Sequence, residues 1–357
     1  MEKLLIINPG STSTKIAVYE DENQLFVESI SHSADQIAKY DSVVDQFEFR
    51  KELIIEALGR HKILLDELTA IVARGGLLPP LKAGAYEVNE DMVWQLRYAP
   101  EHEHASNLGA IIAYEIAKLK GIPAYIYDGV SVDEMLLSVK ITGLPECERK
   151  GTGHNLNMRA IAMKYAREHN KAYKDCTLVV VHLGGGISVS LHADGRVADM
   201  INDEDGGFSP ERAGALPMFQ LIEMMSSGEY TQKTMMKKIK TQGGLVAYLG
   251  VNDSRIVEKM IAAGDEKAKL IYEAMALNVA RNIAREFPIV EGKVEAILLT
   301  GGIAYSEMFT AMIKKRVDFL APVIVYPGEN EMESLALGGL RVLRGEEKAR
   351  PFVRVVK

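Results

Sequence analysis

Three turns in this chain carry more polar or glycine character than a change of direction requires. Residues 8–15 read NPGSTSTK: Asn8, then Gly10, then the hydroxyls of Ser11, Thr12, Ser13 and Thr14. A plain hairpin needs only a glycine or an asparagine at its tip. The second turn is Gly184, Gly185 and Gly186, just after His182, and the third is Gly301, Gly302 and Ile303. Glycine-rich turns that interrupt a strand can aim backbone N–H groups at phosphate oxygens. One such turn is a weak signal, but three in one chain imply a nucleotide. The pattern GxxxxGK[ST] is absent, which excludes a P-loop. No GxGxxG opens a helix, which argues against a dinucleotide fold.

These turns need elements to hold them. Apolar runs at 4–7, 16–19 and 25–30 read as strands, with Asp21, Glu22 and Asn23 turning the last two. A helical period covers 43–58, with Gly59 as its expected stop. Strand 70–73, helix 107–120 and strand 124–127 follow. The order then repeats: strands at 178–181, 187–191 and 196–200, a helix over 265–285, strand 296–300, helix 306–317 and strand 322–326. Leu4 aligns with Leu178 and Gly10 with Gly184, both at an offset of 174. The expectation is an α/β chain built from two copies of one domain, with a cleft between them. Ligand sites favour such interfaces and the carboxyl ends of strands. Asn8, Arg74, Asp128, His182 and Thr300 all fall at or just past a predicted strand end.

The bulk numbers agree. A length of 357 residues suits two domains. A composition of 47% hydrophobic and 25% charged residues is that of an ordinary globular protein. A net charge of −7 argues against nucleic acid or an anionic membrane as partner. Cys147 and Cys176 sit in no metal or redox spacing, and no apolar run approaches membrane-spanning length. The expected location is the cytoplasm.

Taken together, NPGSTSTK, ARGG (73–76), HASNLG (104–109), YD (127–128), RKGTGHNLN (149–157), VHLGGGISV (181–189), GGFSPERAG (206–214) and LTGGIAYSE (299–307) closely resemble the butyrate kinases. These belong with the acetate kinases in the superfamily of sugar kinases, actin and heat-shock chaperone ATPases. The resemblance runs essentially end to end. Acetate kinases carry a run of serines where this chain has Ser11–Thr14, and an asparagine in place of Gly185. The resemblance therefore implies butyrate, or a branched short-chain acid, as the carboxylate partner; the alternatives are propionate or acetate as the acid, and an ATP-driven machine of the chaperone and actin type. It also implies two ribonuclease H-like domains, one over 1–131 plus 332–357 and the other over 132–331, assembled as a homo-oligomer.

The implied reaction is reversible transfer of the ATP γ-phosphoryl group to a fatty-acid carboxylate, with ADP and an acyl phosphate as products. A carboxylate is ionised at pH 7, its ordinary pKa being about 4, so fixed cations and donors matter more than a base. By resemblance, Arg74 and Arg212 act at the acid and the transferring phosphoryl group, where a guanidinium forks two oxygens. His154 matches a histidine that donates to the phosphoryl group, and His104 one near the acid. Asn8, Asp128 and Glu331 match the Mg²⁺ side, with Glu329 and Glu333 as competing neighbours of Glu331. Ser11, Thr12, Ser13, His182 and Gly184–Gly186 would face the phosphates, and Gly301, Gly302 and Ile303 the adenosine and its phosphates. His102 and His104 stand at i and i+2, but nothing completes a ligand set around His102.

Overall fold

The structure, a computed structural model, describes residues 1–101 and 103–355; His102 lies outside them. The chain divides into two compact units, Met1–Asp133 with Asn330–Lys357, and Glu134–Glu329.

In the first unit, β1 (Lys3–Pro9), β2 (Ser13–Glu20) and β3 (Asn23–Ser31) form an antiparallel meander. The short helix α1 (Ala34–Ile37) and then α2 (Phe47–Arg60) lead to β4 (Ala70–Arg74), which pairs parallel to β1. Strand β5 (Ala85–Glu87), helices α3 (Glu90–Tyr98) and α4 (Asn107–Lys120), and strand β6 (Ala124–Tyr127) complete this run, with β6 parallel to β4. Leu4, Leu5, Ile6 and Ile7 are all fully buried. Alternation along β1 explains why. Leu5 and Ile7 share a core with Ile111 and Ile112 of α4, and Leu4 faces the opposite way.

In the second unit, the short helix α5 (Leu137–Lys140) and α6 (Asn155–Glu168) precede β7 (Leu178–Leu183), β8 (Ile187–Ala193) and β9 (Arg196–Ile201). Helices α7 (Met218–Ser226), α8 (Gln232–Thr241), α9 (Gly244–Leu249), α10 (Ser254–Ala262) and α11 (Glu266–Glu286) come next. Strand β10 (Ala296–Gly301), α12 (Glu307–Val317) and β11 (Val323–Pro327) close the unit. Again the central strand is covered on both faces. Val179 and Val181 pack with Met275 and Val279 of α11, while Leu178 and Val180 pack with Met158 and Ile161 of α6.

The chain then returns to the first unit through α13 (Glu331–Leu343) and β12 (Arg350–Pro351). The strand orders are β12-β5-β6-β4-β1-β2-β3 and β11-β10-β7-β8-β9. Removing β5 and β12 leaves the same five-strand order twice, so the duplication read at offset 174 is present in the fold. Helix α13 lies on the Leu4 face through two adjacent glycines. A Cβ on Gly338 would enter the Tyr127 ring, and one on Gly339 would meet Val72 and Leu4.

Two details differ from the sequence reading. Helix α2 continues through Gly59 and ends at Arg60, and the left-handed residue that turns the chain is Lys62, at φ 58°. Gly59 is exposed, so helical hydrogen bonding tolerates it. Residues 218–262 form four helices whose bounds the sequence does not indicate. Among the described residues, no helix is long and apolar enough to cross a membrane.

Candidate active site

In the first unit, the turn after β1 is closed by the Gly10 N–H donating to the Ser13 carbonyl at 2.7 Å. Asn8, at the strand's end, is buried and donates through Nδ2 to Glu331 Oε2 at 2.6 Å. Arg74, at the end of the parallel neighbour β4, pairs with Glu331 Oε1 at 3.3 Å and donates to Asn8 Oδ1 at 3.5 Å. Thus Asn8, Arg74 and Glu331 come together from two strand ends and the start of α13. Glu329 is directed elsewhere, to His182 Nε2 at 3.2 Å, so the acidic stretch 329–333 is divided between the units.

Asp128 directly follows β6 in a left-handed conformation, φ 41°, and is buried. One of its carboxylate oxygens accepts from the Gly84 N–H at 2.7 Å. His104 stands just before α4. Its Nδ1 accepts from the Ser106 N–H at 3.1 Å, so the ring proton sits on Nε2 in the neutral form. Burial, and then the Arg74 charge, pull its pKa below the ordinary value.

Sequence reasoning missed Arg50 of α2, which lies beneath the first turn. It donates to the carbonyl oxygens of Gly10 at 2.8 Å and Ser11 at 3.1 Å. A signal was available: Arg50, Ile54, Ala57 and Leu58 are the buried positions of α2. Their spacing of i, i+4, i+7 and i+8 puts a charge on the apolar stripe.

In the second unit, the His154 and His182 rings stack at 3.9 Å between centroids, with planes 9° apart. His154 Nδ1 meets Ser188 Oγ at 3.0 Å, and His182 Nδ1 meets Asn157 Oδ1 at 3.0 Å. The turn that carries Arg212 is sewn to the glycine turn, since Ser209 Oγ donates to the Gly185 carbonyl at 2.6 Å. Arg212 pairs with Asp203 Oδ1 at 3.2 Å. A Cβ on Gly186 would stand 2.8 Å from Arg212 Cζ, so the guanidinium rests where a side chain would be.

Gly184, Gly185, Gly302 and Ile303 line one cavity of about 700 Å³, together with Pro210, Arg255, Tyr305 and Glu329. Two of the three expected turns therefore share a pocket of nucleotide size. Gly301 is not among the lining residues; it is bridged to Gly328 by mutual backbone hydrogen bonds of 3.2 and 3.0 Å. A larger cavity, about 870 Å³, is lined by Phe208, Met235, Tyr248 and Arg281 among others, and by none of the expected site residues.

A family model described as the acetokinase family matches residues 146–324, half of the chain. The chain belongs to the acetokinase family. Membership makes it a phosphotransferase of the carboxylate-kinase type. Solved structures share the fold at low identity. An acetate kinase from Porphyromonas gingivalis has a TM-score of 0.81 at 18% identity, over 96% of this chain and 100% of its own. A propionate kinase from Francisella tularensis has 0.74 at 19%, over 95% and 99%. An acetate kinase from Entamoeba histolytica has 0.72 at 14%, over 94% and 98%.

Proposed function

We propose that this family member is a short-chain fatty-acid kinase that transfers the γ-phosphoryl group of ATP to butyrate, giving butyryl phosphate and ADP. A carboxylate oxygen attacks the γ-phosphorus, the bond to the β-phosphate's bridging oxygen breaks, and ADP leaves with that electron pair. The nucleophile is already ionised, so the work is electrostatic: an anion must approach a polyanion, and charge must be held on three equatorial oxygens.

The observation that carries the proposal is the seating of Arg212 on Gly186, tied through Ser209 to the glycine turn of the 700 Å³ cavity. A fork-shaped cation at a nucleotide-sized pocket suits a transferring phosphoryl group. We assign His154 as a further donor to that group. We assign Arg74 and His104 to the acid, and Ser11–Ser13, Gly184–Gly186 and Gly301–Ile303 to the nucleotide. Asn8, Asp128 and Glu331 present oxygen donors of the hard type that Mg²⁺ prefers. Bound there, Mg²⁺ would neutralise charge on the β- and γ-phosphates. A homo-oligomer belongs to the same reading and is checked by light scattering.

The test is hydroxamate trapping of acyl phosphate across straight and branched acids from C2 to C6, with ADP release measured alongside. The expected result is acid-dependent turnover, with kcat/KM highest for a C4 acid. Acetate or propionate as clearly the best substrate would replace butyrate and leave the carboxylate kinase. Equal ADP release with and without acid would overturn the kinase reading in favour of an ATP-driven machine.

A further inference from the structure

Arg50 is 1% exposed. Its Nη1 donates to the Gly10 carbonyl at 2.8 Å, the Ser13 carbonyl at 3.3 Å and Thr14 Oγ1 at 3.2 Å. Its Nη2 donates to the Ser11 carbonyl at 3.1 Å and Gln46 Oε1 at 2.7 Å, and its Nε to Gln46 Oε1 at 3.2 Å. All of these acceptors are neutral. Burial lowers its pKa to about 10 with no carboxylate to oppose the shift, so the side chain stays charged at neutral pH. Its neighbour His32 supplies no anion. That ring meets Thr14 Oγ1 at 2.9 Å, and burial and Arg50 pull its pKa down to about 4.

A buried charge without a counter-ion is costly, and chains that keep one gain something from it. The hydrogen bonds indicate what. They draw the carbonyls of residues 10, 11 and 13 inward. Ser11 and Thr12 stay exposed, and their N–H groups and hydroxyls have no acceptor among the described residues. The turn therefore has neutral acceptors and a full positive charge on its inner side, and free donors on its outer side. This is the polarity an anion requires.

We infer that Arg50 is the positioning residue of an anion-binding turn: its buried guanidinium shapes residues 10–13 and supplies the counter-charge for a di- or triphosphate held on their outer face, without touching it. The identity of the anion rests on the function proposed above; the polarity of the turn does not.

The experiment is calorimetric titration of wild type, Arg50→Lys and Arg50→Met with Mg-ATP, inorganic pyrophosphate and adenosine, with thermal midpoints measured in parallel. A unit charge taken to lie about 7 Å from a phosphate charge, at an effective dielectric near 20, is worth roughly 50-fold in affinity. Arg50→Met is expected to weaken Mg-ATP and pyrophosphate by about that factor and to leave adenosine within about twofold. Arg50→Lys keeps the charge and loses the planar fork, so a loss of roughly three- to tenfold is expected. Arg50→Lys also tests the inference should the Met variant fail to fold. Unchanged pyrophosphate affinity in either folded variant, whatever its melting temperature, would reduce Arg50 to a structural brace and overturn the inference. Equal losses for adenosine and Mg-ATP would overturn it too. Wild type that binds pyrophosphate but not Mg-ATP, with the loss in Arg50→Met, would sustain the inference and sink the kinase reading. Wild type that binds neither would sink both.

Discussion

The turns after β1 and after β7 occupy the same place in the duplicated fold, 174 residues apart, yet they hold positive charge in opposite ways. The first is rich in hydroxyls, and its cation lies beneath it, locked by six hydrogen bonds to neutral acceptors. The second is bare glycine, and its cation lies against it. The Arg212 side chain is 35% exposed and has Asp203 as partner. A locked, buried charge can hold a ligand steadily but cannot follow it. A partly exposed guanidinium seated on a glycine can shift with the reacting group as its geometry changes. On the function proposed above, the first turn serves binding and the second serves the transition state. Each prediction below tries to erase or exaggerate that difference.

The largest effect is expected from Arg212→Lys. Charge is retained and the planar fork is lost. Losing a preorganised donor of this kind costs about 10²–10³ in kcat. KM for ATP should change modestly, and the melting temperature should not move. Near wild-type kcat would make Arg212 a general positive charge. An early melt would make it structural. In either case the contrast between the turns would fail.

Next comes a pair of glycine substitutions. Gly186→Ala drives a methyl group into the Arg212 guanidinium, the movable end of a side chain, so displacement rather than unfolding is expected. A loss of roughly tenfold in kcat should follow, about a third to a half of a full donor deletion in free energy. Gly10→Ala meets only ordinary contacts, the nearest being the Ser13 carbonyl oxygen at 3.5 Å. It should keep kcat within about twofold, since nothing there overlaps. Steady-state kinetics on both variants decides. Equal losses would mean that the two turns work alike.

Stability against acid should also distinguish the locked turn. The folded pKa of His32 is about 4, below the ordinary 6.5 of an unfolded histidine. The unfolded chain therefore binds the proton more tightly. The stabilisation is complete above pH 6.5 and is lost as pH falls towards 4, by up to about 3 kcal/mol. Thermal midpoints of wild type and His32→Gln from pH 7.5 to 4.5 should converge on acidification. Parallel curves would show that His32 does not carry this acid sensitivity. The smallest effect is Gly59→Ala, on the helix that carries Arg50 but away from the turn. With nothing within 4 Å of the new methyl group, it should stabilise by about 0.5–1 kcal/mol and leave nucleotide affinity untouched, as a melt and a titration would show.

Much of the fold was legible because both central strands are buried on two faces. Leu4–Ile7 and Leu178–Val181 are continuous apolar runs, and runs of that kind identify themselves. The strand-end residues were legible for the same reason: once the strands are placed, Asn8, Arg74 and His182 have few places to go. Residues 218–262 were not, because their helices keep large apolar side chains such as Phe219 and Ile222 exposed, which blurs the amphipathic period. Arg50 was passed over although it stands on an apolar stripe. A charged residue there usually snorkels to solvent, and nothing in the sequence announces a set of inward-facing carbonyls. Gly59 misled because a glycine can end a helix without being obliged to.

Helix α13 has a consequence for the order in which the protein can be made. It seals the Leu4 face of the first sheet, and Glu331 at its start completes the Asn8–Arg74 cluster, yet both are translated after the whole second unit. Domains emerging from the ribosome generally fold as they become complete. Here the unit that begins first must finish last, holding an uncovered apolar sheet face until some 200 further residues have been added. The second unit, continuous in sequence, can fold during that wait. A nascent chain therefore acquires its nucleotide-sized cavity before its Glu331 carboxylate.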